Sequence, residues 1–159
     1  MTCNTPSSPP GTRNLTLSLC VLIGLVSVAP AVAGPDAPGL VISDPWIRFI
    51  VPTLPAAGYF DLANHNDTPR VLVGASSPAC KSLMLHQTMT MNGMETMAMV
   101  ASVMVPAKGS VSFAPGGYHL MCTGPSSDMT VGATVAVTLN FKDGETITAN
   151  FAVRGATGK

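Results

Sequence analysis

Short runs of β-favouring residues, each ended by turn residues, constrain this chain more than any other feature. From residue 40 onward, runs rich in Val, Ile, Thr, Leu and Phe alternate with turn segments such as Asn64–Asp67, Met91–Met94 and Lys142–Gly144. No segment between these turns shows sustained helical periodicity. The spacing predicts an all-β fold, either a β-sandwich or a small Greek-key barrel. The predicted strands are 40–42, 46–51, 57–63, 70–76, 82–90, 95–103, 110–113, 118–123, 130–140 and 146–153.

The N-terminal segment has the pattern of a secretory signal peptide. Arg13 is its only charged side chain, and Leu15–Val28 is an apolar run broken mainly by Ser, Thr and Gly. Ala31–Ala33 is a small-x-small cleavage site. The apolar run is shorter than the roughly 20 residues of a membrane span. We therefore predict a signal peptide at 1–33, a folded domain at 34–159 and a periplasmic location.

Two other roles for the N-terminal segment stay open. It can be retained as an anchor, or it can be cleaved before Cys20 as in a lipoprotein. Against cleavage at Cys20, Leu19 is bulky where a small residue is expected, and little apolar sequence precedes it.

The charge pattern excludes several classes of partner. Eight basic and eight acidic residues give a formal net charge of +0, with no basic stripe. This argues against binding to nucleic acid or to an anionic membrane surface. The sequence also lacks a nucleophile–base arrangement, paired carboxylates and a phosphate-binding glycine loop, so we do not expect an enzyme.

The cysteines allow one pairing after export. Cys3 and Cys20 lie within the predicted signal, which leaves Cys80 and Cys122 in an oxidising compartment. We predict a Cys80–Cys122 disulfide. The alternative is two buried thiols that pack as small apolar groups.

Methionines gather in one part of the chain. Of ten in total, all but Met1 and Met129 lie between Met84 and Met121, beside two of the three histidines. Residues two apart on a strand share a face. Three predicted strands therefore each present a same-face pair of metal-binding side chains. The pairs are Met84 with His86, Met97 with Met99, and His119 with Met121.

The chemistry of such a set favours Cu(I). Thioethers are neutral, soft ligands that suit Cu(I) and serve Zn²⁺, Mg²⁺ and Ca²⁺ poorly. A zinc site would recruit thiolate, imidazole or carboxylate, and Glu95 is the only carboxylate in this region. A blue-copper centre needs a thiolate, but Cys122 follows Met121 and points to the other face of a regular strand. Electron transfer at a fixed copper is therefore disfavoured unless a bulge reverses that orientation.

The spacing of four residues resembles a known family. His86, Met97, His119 and Met121 follow the pattern H-x10-M-x21-H-x-M; His86 lies within "LVGASSPACKSLMLHQT", and His119 and Met121 end "VPAKGSVSFAPGGYHLM". Together with "DPWIRFIVPTLPAAGYFDLANHND", these stretches resemble the periplasmic copper chaperones of the PCuAC type. The resemblance implies a cupredoxin-like Greek-key β-barrel that binds one Cu(I) through those four residues.

The same resemblance implies a biological role. It implies delivery of copper to the dinuclear copper centre of cytochrome c oxidase, through the oxidase copper subunit and sometimes with a thiol-bearing assembly factor. The alternative function is a periplasmic copper buffer for tolerance. We expect a monomer.

Several roles are open for the remaining methionines. Met84 and Met99 can flank the ion, transfer it or simply pack. Met89, Met91 and Met94 lie on a turn beside the site and form an auxiliary copper site, a docking surface or a solvated surface, and Met104 is expected in the core. Trp46 is read as a packing residue and Arg48 as the partner of a carboxylate.

Overall fold

The computed structural model of the chain describes residues 37–91 and 93–159, which form ten strands and no helix. The all-β prediction is confirmed. The predicted signal peptide at 1–33 lies outside the described residues. The strands are β1 (Leu40–Arg48), β2 (Ala56–Asn64), β3 (Arg70–Ser76), β4 (Cys80–Met91), β5 (Met94–Met99), β6 (Val103–Val105), β7 (Gly109–Phe113), β8 (Tyr118–Pro125), β9 (Thr134–Phe141) and β10 (Thr146–Arg154). Within the described part of the chain, no helix is long and apolar enough to cross a membrane.

The strands form one sheet that folds back on itself. Their order is β5-β4-β8-β7-β2-β1-β10-β9-β3-β6, with a further pairing between β8 and β2. The pairs β1–β10 and β7–β8 are parallel, and the other pairs are antiparallel. β3 and β4 are far apart in this order but contact each other, so the sheet encloses a core.

Alternation of apolar and polar residues builds that core. In β9, Val135, Val137 and Leu139 are buried, while the residues between them are partly exposed. Aromatic rings fill the centre. Phe60 stacks on Phe113 with ring centroids 4.3 Å apart, and Phe151 packs edge-on against Phe60 at 5.6 Å. Offset and edge-to-face pairs of this kind add about 0.5–1.5 kcal/mol beyond the burial of apolar area.

Three predicted element boundaries are wrong, and one of them is the strand predicted at 130–140, which begins only at Thr134. The predicted strands 40–42 and 46–51 are one strand, β1, because pairing with β2 continues across a bulge between Ser43 and Trp46, where Asp44 has a φ of 50°. The predicted strand 95–103 ends at Met99, and the short β6 follows it and pairs with β3. Met104 lies on β6 and is 64% exposed, so its predicted place in the core is also wrong.

The predicted disulfide is present. Cys80 and Cys122 are bonded, with their Cα atoms 5.5 Å apart, and they join the beginning of β4 to β8. Cys122 is fully buried in the core. Because both sulfurs are engaged in this bond, neither is available as the thiolate of a blue-copper centre.

Candidate metal site

Five neighbouring strands each contribute one residue to a row across the outer face of the sheet. Trp46 of β1 is paired with Tyr59 of β2, His119 of β8 with His86 of β4, and His86 in turn with Met99 of β5. Gly58, which precedes Tyr59, is paired with Leu120, which follows His119, so the row continues across β2 and β8. Paired residues of antiparallel strands share a face and lie within side-chain contact distance.

The core fixes which face carries this row. Leu85 and Leu120 are register partners, and both are buried in the core. His86 and His119 follow and precede them directly, so the two histidines point to the opposite face. Their ring centroids are 5.8 Å apart, and Tyr59 lies 6.4 Å from His119 on its other side.

His119 is held in one tautomer. The residue is 5% exposed, and the Nδ1 of its ring lies 3.2 Å from the carbonyl oxygen of Gly117. A carbonyl oxygen only accepts hydrogen bonds, so Nδ1 carries the proton and donates it. The lone pair of Nε2 is then free for a metal ion, and the donated bond fixes the orientation of the ring.

His86 has an unpaired nitrogen. Its Nδ1 is buried without a hydrogen-bond partner. Burial lowers the pKa of His86 below its ordinary value of 6.5, and the nearby charge of protonated His119 lowers it further. A buried unsatisfied polar atom costs about 1–3 kcal/mol. Coordination of a metal ion at this nitrogen would offset that cost, and the neutral ring is the form that ligates.

The methionines of the predicted site lie on the same face. Met121 follows His119 by two residues and is paired with Met84, while Met97 is paired with Thr88. Met97, His119 and Met121 line one groove of about 640 Å³, whose walls also include Ile50 and Leu54. The four predicted ligands therefore converge: three line one groove, and His86 packs against one of them.

The strand register, rather than the spacing in the sequence, shows how close Met99 lies to His86. Met99 is 68% exposed and is the direct register partner of His86, whereas Met97 pairs two residues further along with Thr88. A strand period shows which residues share a face, but the offset between β4 and β5 decides which methionine lies opposite the histidine.

A site at this place needs sulfur. Among residues 37–91 and 93–159, no group of three or more His, Cys, Asp or Glu side chains is placed to hold a metal ion. Two imidazoles with thioethers are the donors that converge, and this set fits a soft monovalent ion rather than Zn²⁺ or Mg²⁺.

Trp46 and Arg48 border the site. Trp46 packs against Tyr59 at 4.7 Å between ring centroids and lies beneath Arg154 at 5.2 Å, which confirms its packing role. Arg48 lies 5.7 Å from the centre of the Tyr59 ring. Within the described part of the chain no carboxylate forms an ion pair with Arg48, so its predicted acidic partner stays a prediction.

Comparison with protein families gives a match over most of the described chain. The model described as "Putative lipoprotein LpqE-like" matches residues 40–153. A curated relative, "Putative lipoprotein Lxx21020" of Leifsonia xyli subsp. xyli, is 35% identical over 150 residues and is matched over 90% of each chain.

Solved structures give the same fold. The copper-bound PCuAC domain from PmoF2 is 25% identical, with a TM-score of 0.61 over 74% of this chain and 93% of that domain. The Cu(I) form of DR1885 from Deinococcus radiodurans is 33% identical, with a TM-score of 0.60 over 76% of this chain and 80% of that protein. The predicted similarity to PCuAC domains is confirmed.

Proposed function

The chain belongs to the LpqE-like family, and on that premise we propose that it is an exported copper(I) chaperone with the ligands His86, Met97, His119 and Met121. The observation that carries the proposal is the pairing of His86 with His119 on the face that also holds both methionines. The comparisons support it, since two of the similar structures were solved with copper.

The proposed ligand set suits temporary binding. Two neutral imidazoles and two thioethers bring no negative charge, so they hold Cu(I) less strongly than a thiolate cage would. His119 is fixed by Gly117, whereas Met97 is 63% exposed. An acceptor would therefore reach the ion from the Met97 side and replace that thioether first.

Copper binding is tested by titration with Cu(I) under reducing, oxygen-free conditions, followed by X-ray absorption of the loaded protein. In protein loaded with one equivalent, we expect the ion to have two nitrogen and two sulfur scatterers. The matched control is His65→Ala, which removes an exposed histidine outside the site and should leave the spectrum unchanged. A bound ion with no sulfur scatterer would contradict the ligand set.

Delivery is the finer part of the proposal. We propose that the recipient is the dinuclear copper centre in the copper subunit of cytochrome c oxidase, with a thiol-bearing assembly factor keeping the recipient cysteines reduced. The copper-loaded protein is mixed with the metal-free copper domain of that subunit, and the copper content of each is measured after separation. Transfer is expected with the native chain, and retention of copper by this chain would contradict delivery.

A periplasmic copper buffer is the second candidate. The surplus of exposed methionines on β4 and β5 favours it, because added thioethers add capacity. A stoichiometry well above one ion per chain, together with failure of the transfer experiment, would support buffering. Size-exclusion chromatography with and without copper tests the expected monomer in the same samples.

Export is proposed to follow signal cleavage after Ala33, with the folded domain released into the periplasm. The curated relative is called a lipoprotein. In this chain, however, most of the apolar run follows Cys20 rather than preceding it. The intact mass of the exported protein distinguishes the two routes. A chain beginning at Gly34 supports cleavage, and an acylated chain beginning at Cys20 contradicts it.

A further inference from the structure

The hairpin of β4 and β5 extends past the rest of the sheet. Pairing of β4 with β8 ends at Gln87 and Tyr118, but pairing of β4 with β5 continues to Met91 and Met94. Beyond Thr88 the two strands pair only with each other, so this end of the hairpin is a two-stranded ribbon. Such ribbons are marginally stable in water and gain little from burial.

The two faces of this ribbon carry different methionines. Register partners share a face, so Met97 and Met99 lie with His86 and Thr88 on the face of the proposed chaperone site. Met89, Met91 and Met94 lie on the other face. That second face continues the core-facing side of β4 past the end of the core.

Packing does not account for these three side chains. Met89 is 39% exposed, Met91 60% and Met94 69%, and β-branched or aromatic residues would favour a strand more strongly. Met91 and Met94 are direct register partners, and Met89 is two residues from Met91 on the same strand. The ribbon thus presents three exposed thioethers on neighbouring positions of one face.

The spacing allows one ion to contact all three sulfurs. Directly opposed Cβ atoms on a sheet are about 4.5–5.5 Å apart, and diagonal neighbours are about 7–8 Å apart. Each methionine side chain has three rotatable bonds and can bring its sulfur inward across these distances.

We propose that Met89, Met91 and Met94 form a second metal site, which binds a soft monovalent ion, Cu(I) or Ag(I). The other residues on this face of the ribbon are uncharged, and Glu95 lies on the opposite face. A site made of thioethers alone excludes hard divalent ions. It shares no residue with the chaperone site, so it stands whether or not that function is correct.

The test follows each methionine separately. The folded chain is labelled with ¹³C at the methionine methyl groups and titrated with Ag(I), a soft monovalent probe that is not oxidised in air. We expect the methyl signals of Met97 and Met121 to move with the first ion, and those of Met89, Met91 and Met94 to move together with a second.

Variants separate the two sites. The double variant Met91→Leu/Met94→Leu should weaken binding of the second ion by about tenfold or more, because loss of an outer-sphere partner alone can cost about tenfold. Binding of the first ion should stay unchanged. Met104→Leu is the matched control, because it removes an equally exposed methionine on β6. The double variant His86→Ala/His119→Ala should lose the first ion and retain the second.

Two outcomes would overturn the second site. In the first, several equivalents of Ag(I) leave its three methyl signals unmoved. In the second, the signals move only with the first ion and stop moving in the histidine double variant. If instead the signals of Met97 and Met121 stay fixed while the other three move, the chaperone site fails and the second site holds.

Discussion

β8 and β5 both supply ligands to the proposed chaperone site, and they differ in how the fold holds them. β8 lies inside the sheet, where it pairs with β4, β2 and β7, and its His119 is 5% exposed. β5 is an edge strand that pairs only with β4, and its Met97 is 63% exposed. The core therefore positions His119, and Met121 lies on the same strand, while Met97 is positioned by one strand pairing and is open to solvent.

The largest effect should come from removing the disulfide that joins β8 to β4, and it should lower the stability of the fold rather than the affinity for copper. The variant Cys80→Ala/Cys122→Ala removes a cross-link with a sequence separation of 42. Loop-closure entropy then predicts a loss of about 4 kcal/mol in the free energy of unfolding. Denaturant unfolding measures the loss. Cu(I) affinity of the folded variant should stay unchanged, and a marked fall in affinity would reinstate a cysteine ligand.

Removing the imidazole of β8 should have the next largest effect, this time on copper. His119→Ala should weaken Cu(I) binding by about 100-fold or more. Loss of a residue that only supports a ligand costs up to about 100-fold, and loss of the ligand itself should cost at least as much. The fold should persist, with a loss of about 1 kcal/mol in stability, as is usual for a single substitution. Competition with a chromophoric Cu(I) chelator measures the affinity, with His65→Ala as control. Equal affinity of the two variants would remove His119 from the site.

The edge strand should give a smaller effect and can show which of its methionines binds. Met97→Leu keeps the side-chain volume and removes the sulfur, and it should weaken Cu(I) binding by about tenfold, which corresponds to about 1.4 kcal/mol. Met99→Leu is the matched variant, with similar exposure on the same face. In the same competition assay, Met99→Leu should bind Cu(I) with native affinity. The reverse result would make Met99, the direct partner of His86, the ligand.

The smallest effect concerns pH. Burial, followed by the charge of His119, lowers the pKa of His86 in the folded chain below 6.5. The folded state therefore binds fewer protons at this group than the unfolded state. The corresponding stability is present above about pH 6.5 and is lost as the pH falls toward the lowered pKa.

An ordinary imidazole with a pKa of about 6.5 loses about threefold of its neutral form between about pH 7 and pH 6. His86 should lose less than that, so its share of Cu(I) affinity should change less over this range. An NMR titration of the His86 ring in the metal-free protein checks the direction. A midpoint above 6.5 would contradict it.

Much of this fold and site follows from local sequence rules. Period-two alternation and turn residues give the all-β fold, and the parity of Leu85 with His86 and of His119 with Leu120 places both imidazoles away from the core. The pairing of Cys80 with Cys122 follows once only two cysteines remain after export.

What local rules miss depends on pairing between distant strands. Met104 looks like a core residue in its short apolar run, but β6 lies at the far edge of the sheet, where its outward side chain meets solvent. The strands before and after Asp44 read as two because Asp-Pro is a turn signal, yet β2 pairs with both across the bulge. Met99 lies opposite His86 only because of the β4–β5 offset, which no single strand encodes.

The row from Trp46 to Met99 forms only when the strands pair in their native register. A slip of β4 by one residue would turn His86 inward and expose Leu85, so the same error would disrupt both the hydrophobic core and the proposed metal-binding face. A misassembled chain therefore has no matched pair of imidazoles to offer. Under the proposed function, copper would bind only to chains that have already reached their native state.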